Sequence, residues 1–166
     1  MTTQVIKNRA RDLDKALRTM AKREVLVGIP SDSADNDRSD DPELTNADIG
    51  MINEFGAPGA NIPARPHLIP GIDAIRPEAA RRLSKAAERI LKLRESPGAI
   101  ADNALESVGI LGRDAVVQKI NDVLSPALAP ATIAARKRAG FEGETPLIVT
   151  GAYKQSITYV VDDVKS

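Results

Sequence analysis

VLVGIP, residues 25–30, decides the fold class. Val25, Leu26, Val27 and Ile29 are strand formers in a run too short for a helix. Pro30 has no N–H to give a ladder, so a short strand over 25–29 is predicted to stop there. Its counterpart stands near the other end of the chain, where ITYVV, residues 157–161, alternates as a half-buried strand does. The residues between the two read mainly as helix. Two strands separated by most of the sequence predict an α+β fold. It would have a small antiparallel sheet, a long central helix, further helices and an extended loop or arm. A length of 166 residues fits one domain over 1–166.

Working outward from the first strand, Ile6, Leu13, Leu17 and Met20 recur at helical spacing before it, with Ala10 and Ala16 between them. Lys7, Arg11 and Lys15 fall on the wet side. The stretch MTTQVIKNRARDLDK therefore reads as a charged helix without the apolar region of an export signal. After Pro30 comes SDSADNDRSDDPE, which is too polar to pack, and a mobile acidic loop over 31–43 is expected. Counted from Asp35 as a calcium loop, the sixth position is Asp40 and not glycine, and the twelfth is Asn46 and not glutamate.

Thr45 with Asp48 predicts a capping box for a helix whose face carries Ile49, Ile52 and Phe55, and Gly56 predicts a left-handed stop. A Pro/Gly-rich connector over 56–67 follows, with Pro58, Pro63 and Pro66. Leu68, Ile72, Ile75, Ala79, Leu83, Ala86 and Ile90 then share a helical face, and Pro77 predicts that the regular part starts near Arg76. Ser96 and Pro97 open another helix running to about Leu124, in which Gly109 and Gly112 either permit a close helix contact or loosen the middle. SPALAPA is a second stiff connector, Thr132 to Ala139 a short basic helix, and TGAYKQS a turn or one helical turn.

Composition removes several classes of chemistry. There is no cysteine, which excludes disulfides, thiolate metal sites and cysteine nucleophiles. The single histidine, His67, cannot build a usual structural zinc site, and a surface or packing role is expected for it. No G-x-S-x-G elbow and no Gly-Lys-Ser/Thr phosphate loop is present. The expectation is a protein without enzymatic activity or cofactor. No apolar run approaches the ~20 residues of a membrane span, so no membrane partner is expected.

Net charge is zero, with 23 Lys and Arg against 23 Asp and Glu. The charge is segregated, however: residues 32–43 hold six acids against Arg38, and residues 81–94 six bases against Glu88. Opposed patches in a neutral chain suit contact with copies or other proteins. Arg81, Lys85 and Arg89 lie one turn apart, and Arg136, Lys137 and Arg138 form a cluster. Both are candidates for electrostatic contact, including with DNA. Aromatics number only four, which argues against a stacking platform for single-stranded nucleic acid.

Five motifs in order resemble the small tail-completion or neck components of tailed bacteriophages and prophages. They are VGIP at 27–30, EFG at 54–56, IPARP at 62–66, TIAARK at 132–137 and PLIVTGAYKQSI at 146–157. The family typically shows Val-Gly-Ile-Pro, Glu-(Phe/Tyr)-Gly, Ile-Pro-x-Arg-Pro, Thr-Ile-x-x-(Arg/Lys)-Lys and Pro-Leu-x-x-Thr-Gly-x-Leu-x-x-Ser-Ile, and the likeness spans about two thirds of the chain. Here His67 stands where that family usually has phenylalanine, and Tyr153 where leucine is common; the latter reads as an apolar exchange. The acidic stretch reads as an insertion. The resemblance implies a structural protein forming a ring, of six copies, where tail tube meets head connector, with DNA passing through it. It would reside in the virion, and in the host cytoplasm during assembly. A joining factor that leaves the finished particle and a DNA-binding accessory protein are the alternatives. Glu54, Phe55, Gly56, Ile62, Pro63, Arg65, Pro66 and His67 would form the subunit or partner contact. Arg65, held extended by Pro66, would present its guanidinium to a neighbouring carboxylate; a stiff connector that serves only its own domain is the other reading of this stretch.

Overall fold

The computed structural model describes residues 3–30, 45–92, 96–122 and 125–164, with backbone only at 3–9 and 19. The expected acidic loop at 31–43 lies outside the described residues. In chain order the elements are α1 (Thr3–Lys22), β1 (Arg23–Gly28), α2 (Asn46–Phe55), α3 (Leu68–Leu91), α4 (Pro97–Asp122), α5 (Pro130–Arg138), α6 (Ala152–Gln155) and β2 (Thr158–Asp163). β1 and β2 pair as a two-stranded antiparallel sheet, so the fold is α+β and mostly helical.

Local signals set most of these boundaries. Thr45 Oγ1 accepts the Asp48 N–H at 3.1 Å, and Asp48 Oδ2 accepts the Thr45 N–H at 3.0 Å, closing the expected capping box of α2. α4 opens at Pro97, where a missing N–H costs nothing, and the Ser96 carbonyl takes its first bond, from the Ile100 N–H at 3.2 Å. Pro77 departs from expectation, because α3 runs through it unbroken. Packing on both sides carries the helix across: Ile72 lies against one core, and Leu83, Ala86 and Ile90 against the other.

Two compact units are present. The first comprises Met1–Leu26, Ile75–Gly112 and Tyr159–Ser166, the second Val27–Ala74 and Arg113–Thr158. In the first, Ala16 of α1 packs with Ala86 and Ile90 of α3 and Ile100, Ala101 and Ala104 of α4, flanked by Leu13, Met20 and Leu83. Full burial of a side chain such as Ile90 contributes about 1.5–3 kcal/mol. Leu17, expected on this face, is instead exposed, since only Ala16 and its neighbours at helical spacing point inward. Tyr159 of β2 lies over Gly109 so closely that a Cβ there would come within 2.1 Å of its ring, and its hydroxyl donates to Glu106 at 2.7 Å. Gly109 thus admits an aromatic ring from the sheet.

In the second unit Val116 and Ile120 of α4 pack with Tyr153 and Ile157, joined by Ile49, Leu68, Ile72, Leu147 and Ile148. The close helix contact falls on Gly71 of α3. A Cβ there would stand 3.0 Å from the Cα of Val116.

The connector closes on itself. Ala57 and Ile62 form an antiparallel bridge with N–H to carbonyl distances of 2.8 and 3.0 Å, spanning a 3-10 turn at Pro58–Ala60. Asn61 takes the left-handed conformation, φ 56° and ψ 34°. Gly56 is not a left-handed helix stop: at φ 77° and ψ 170° it occupies a region nearly reserved for glycine. A Cβ at this position would meet the backbone N of Ala64 at 2.8 Å. The Arg65 N–H then donates to the Asn53 carbonyl at 2.6 Å, pinning the connector to the end of α2.

Candidate functional site

The motif residues of the second unit meet at a buried polar node. Its first member is Glu54, in the last turn of α2, with a side chain 3% exposed. Oε2 accepts the backbone N–H of His67 at 2.7 Å and of Leu68 at 2.8 Å, and Oε1 accepts that of Ile69 at 3.0 Å. These are N–H groups that the start of α3 leaves without intrahelical partners. A carboxylate from one helix therefore caps the positive end of another, and three charge-assisted bonds offset its desolvation.

His67 is fully buried. Nδ1 lies 2.9 Å from the Arg65 carbonyl, which can only accept, so Nδ1 carries a hydrogen. In the singly protonated ring Nε2 then accepts from the Tyr153 hydroxyl, 2.5 Å away, with the two rings edge-on at 5.5 Å between centroids. The Glu54 carboxylate stands 3.4 Å from Nδ1, behind the carbonyl contact. Burial, and then the charge of Glu54, push the Tyr153 phenol above its usual value and keep its hydroxyl a donor. Gly50 of α2 makes room for it: a Cβ there would sit 3.1 Å from the Tyr153 oxygen.

Arg65 corrects an expectation. Its side chain does not reach outward to a neighbour's carboxylate; the residue is 6% exposed. Nε donates to the Pro126 carbonyl at 2.9 Å and Nη2 to the Ala127 carbonyl at 3.2 Å, so the guanidinium grips the second stiff connector. Glu54 and His67 are likewise inside and not on a contact surface, because each is held by buried backbone groups. Of the other proposed contact residues, Pro63 and Pro66 are exposed, Gly56 and Ile62 half-buried, and Phe55 is 65% exposed.

The basic candidates divide. Arg81, Lys85 and Arg89 lie exposed on α3, with Arg81 and half-buried Arg82 paired to Glu78. Those two guanidinium groups hold the Glu78 carboxyl below its usual range. Lys137 and Arg138 are exposed, Lys137 at 3.7 Å from Glu144. Arg136 turns inward, its Nη1 donating to the carbonyls of Thr145 at 2.9 Å and Ile148 at 3.2 Å. The expected cluster therefore presents two outward charges, not three.

Sequence reasoning missed Tyr153, which is no apolar exchange, and Gly50. The available signal was that the two departures from the family pattern, His67 and Tyr153, are both polar. Chemically the node is sealed: no substrate can reach a histidine with no exposed surface, and its role is to clamp α2, the connector, α3 and α6 within one unit. Among the described residues no group of three His, Cys, Asp or Glu side chains is placed to hold a metal ion, and no helix is long and apolar enough to cross a membrane. No protein-family model matches the chain, and neither a curated protein nor a solved structure matches it.

Proposed function

We propose that the chain is a structural component of a tailed-phage particle, a tail-completion or neck protein that works as a ring of identical copies between tail tube and head connector. The observation that carries this reading is the hydrogen bond between His67 and Tyr153. These are the two positions at which the sequence departs from the family pattern, 86 residues apart in the chain. In that pattern an aromatic and an aliphatic side chain stand there; here a donor and an acceptor replace them together. Either polar group alone would be buried without its partner, at about 1–3 kcal/mol. Paired departures at one point in space support the alignment of motifs on which the resemblance rests.

With Glu54, Arg65 and His67 inside, the proposed contact would fall to exposed side chains nearby. Met51 and Phe55, one turn apart on α2, are 66% and 65% exposed. Large apolar side chains on an outward helix face suit association more than solvation. Negative-stain microscopy of the purified protein, and mass spectrometry of particles produced with it, test the proposal. Rings, or stoichiometric recovery from finished particles, are expected. A chain that stays monomeric when mixed with head-connector and tail-tube proteins and is absent from particles at every stage of joining refutes it. Recovery from joining intermediates but not from finished particles would select the joining-factor form.

A further inference from the structure

Among the described residues β1 and β2 pair only with each other, so each keeps one edge without a neighbouring strand, and no residue of either is buried. A two-stranded sheet is marginal by itself, and an open strand edge is a template for another strand. The Val164 N–H donates to the Lys22 carbonyl at 2.7 Å, which sets the register: Val25 stands opposite Val161, and Leu26 opposite Val160. In an antiparallel ladder alternate residues bond inward, so the backbone groups of Val25 on β1, and of Val161 and Asp163 on β2, point away from the partner strand. In keeping with this, the Asp163 N–H is taken by the Asp162 carboxylate, at 2.8 Å, and not by β1. Leu26 and Val160 lie side by side on the outward face, 50% and 46% exposed. The two edges also end in opposite charge. Lys22 and Arg23 stand at the start of β1, Asp162 and Asp163 at the end of β2. Arg23 is engaged with Asp102 at 2.7 Å, whereas exposed Lys22, Asp162 and Asp163 have no ion-pair partner among the described residues.

We propose that the outer edge of β1 receives the outer edge of β2 from a second copy of the chain, antiparallel, so that the sheet continues from subunit to subunit. Val25 then exchanges backbone hydrogen bonds with Val161 of the partner subunit, and inward-facing side chains of the two strands stay on one face. The same register brings the acidic strand end of the second copy beside Lys22 and sets Leu26 against Val160 of the partner subunit. Like edges paired antiparallel would leave both charged ends without a counterpart. Contact between two different edges is head-to-tail, and it closes into a ring where its rotation allows. The inference rests on the sheet and not on membership of a virion.

Disulfide cross-linking tests this, because the chain has no cysteine of its own and Leu26 and Val160 are exposed. In the proposed register they form a non-hydrogen-bonded pair across the interface, with Cα atoms about 4.5 Å apart, within disulfide reach. Leu26→Cys and Val160→Cys are made in separate full-length chains, mixed, oxidised mildly and resolved on a non-reducing gel. A linked dimer is expected from the mixture and little from either variant alone. Adding Val161→Pro to the Val160→Cys chain removes an outward N–H and leaves the β1–β2 ladder bonded, so a drop in dimer yield of at least about fivefold is expected with the circular dichroism unchanged. Asp162→Lys, at an exposed position, guards against a proline variant that fails to fold: it is expected to lower the yield, and by less at high salt. A mixture no richer in dimer than its components overturns the proposal. So does equal cross-linking by either variant alone, which marks pairing of like edges, or an undiminished yield from folded Val161→Pro. Recovery of the chain from particles reads the virion proposal separately.

Discussion

Replacing His67 and Tyr153 by the residues of the family pattern is the most informative perturbation of this fold. His67→Phe removes two hydrogen bonds: Nδ1–H to the Arg65 carbonyl at 2.9 Å and the contact of Nε2 with the Tyr153 hydroxyl at 2.5 Å. It leaves a buried phenol without an acceptor. Each buried polar group so stranded costs about 1–3 kcal/mol, so a loss of about 2–4 kcal/mol is expected. Tyr153→Leu strands the Nε2 atom and opens a space where the ring stood against Val116 and Ile120, with a loss of about 2–4 kcal/mol. The double variant strands neither partner of the lost bond, and the larger phenyl ring introduced by His67→Phe lies toward the vacated space. Its loss is expected to be smaller than the sum of the singles by about 1–3 kcal/mol. Urea denaturation followed by far-UV circular dichroism, with unchanged slope across the four proteins, gives the coupling. Additive losses within about 0.5 kcal/mol would refute both the pairing and the alignment built on it.

Four further outcomes follow from the geometry. Glu54→Gln removes the negative charge that the N–H groups of His67, Leu68 and Ile69 share and is expected to lower stability by about 3 kcal/mol in the same denaturation assay. Gly109→Ala, which gains about 1 kcal/mol in helix propensity, is nevertheless expected to destabilise by about 1–3 kcal/mol, because its Cβ falls 2.1 Å from the Tyr159 ring; Tyr159→Ala in the same chain should relieve that loss. In Tyr159→Phe, Tyr153 is the one tyrosine left, and its raised pKa sets the pH dependence. Its contribution is complete below the unfolded value of about 10 and is lost as pH rises, by about 1.4 kcal/mol per pH unit, so tyrosinate absorbance should appear only as the protein unfolds. Phe55→Ser is expected to change stability by less than about 0.5 kcal/mol while lowering assembly in light scattering; a large drop in stability would place Phe55 in a core.

What the sequence made legible is what local physics decides. The capping box at Thr45, the proline start of α4, the two strands and the helical turn near Tyr153 each depend on residues within a few positions of one another. What it hid depends on pairs far apart in the chain. Arg65 meets carbonyls 61 and 62 residues away, and nothing beside it in sequence shows that its fork is turned inward. Pro77 reads locally as a break, yet two cores hold the helix on either side of it. Gly109 is uninformative until Tyr159 is placed over it. Of the node, Glu54, Arg65 and His67 stand out in the sequence, read there mainly as outward contacts, with packing the other reading of His67 and of the connector. Proline rigidity is the same physical property whether a stiff segment serves a neighbour or its own fold, so composition could not separate the two.

The Glu-Phe-Gly motif sets a buried and an exposed side chain in adjacent positions. One helical step of about 100° separates Glu54 from Phe55. That rotation turns the carboxylate to the N–H groups of α3 and leaves the phenyl ring 65% exposed. Gly56, next, supplies the positive φ that lets the chain turn back so that the Arg65 N–H reaches the Asn53 carbonyl and the His67 N–H reaches the Glu54 carboxylate. The buried half of the motif therefore fixes the angle at which the exposed half is displayed. If the chain assembles as proposed, a stiff connector that is folded inward would serve assembly indirectly, by removing conformational freedom that Phe55 and Met51 would otherwise lose on docking. In that case the prolines, the buried arginine and the sealed histidine would support an apolar contact without touching the partner themselves.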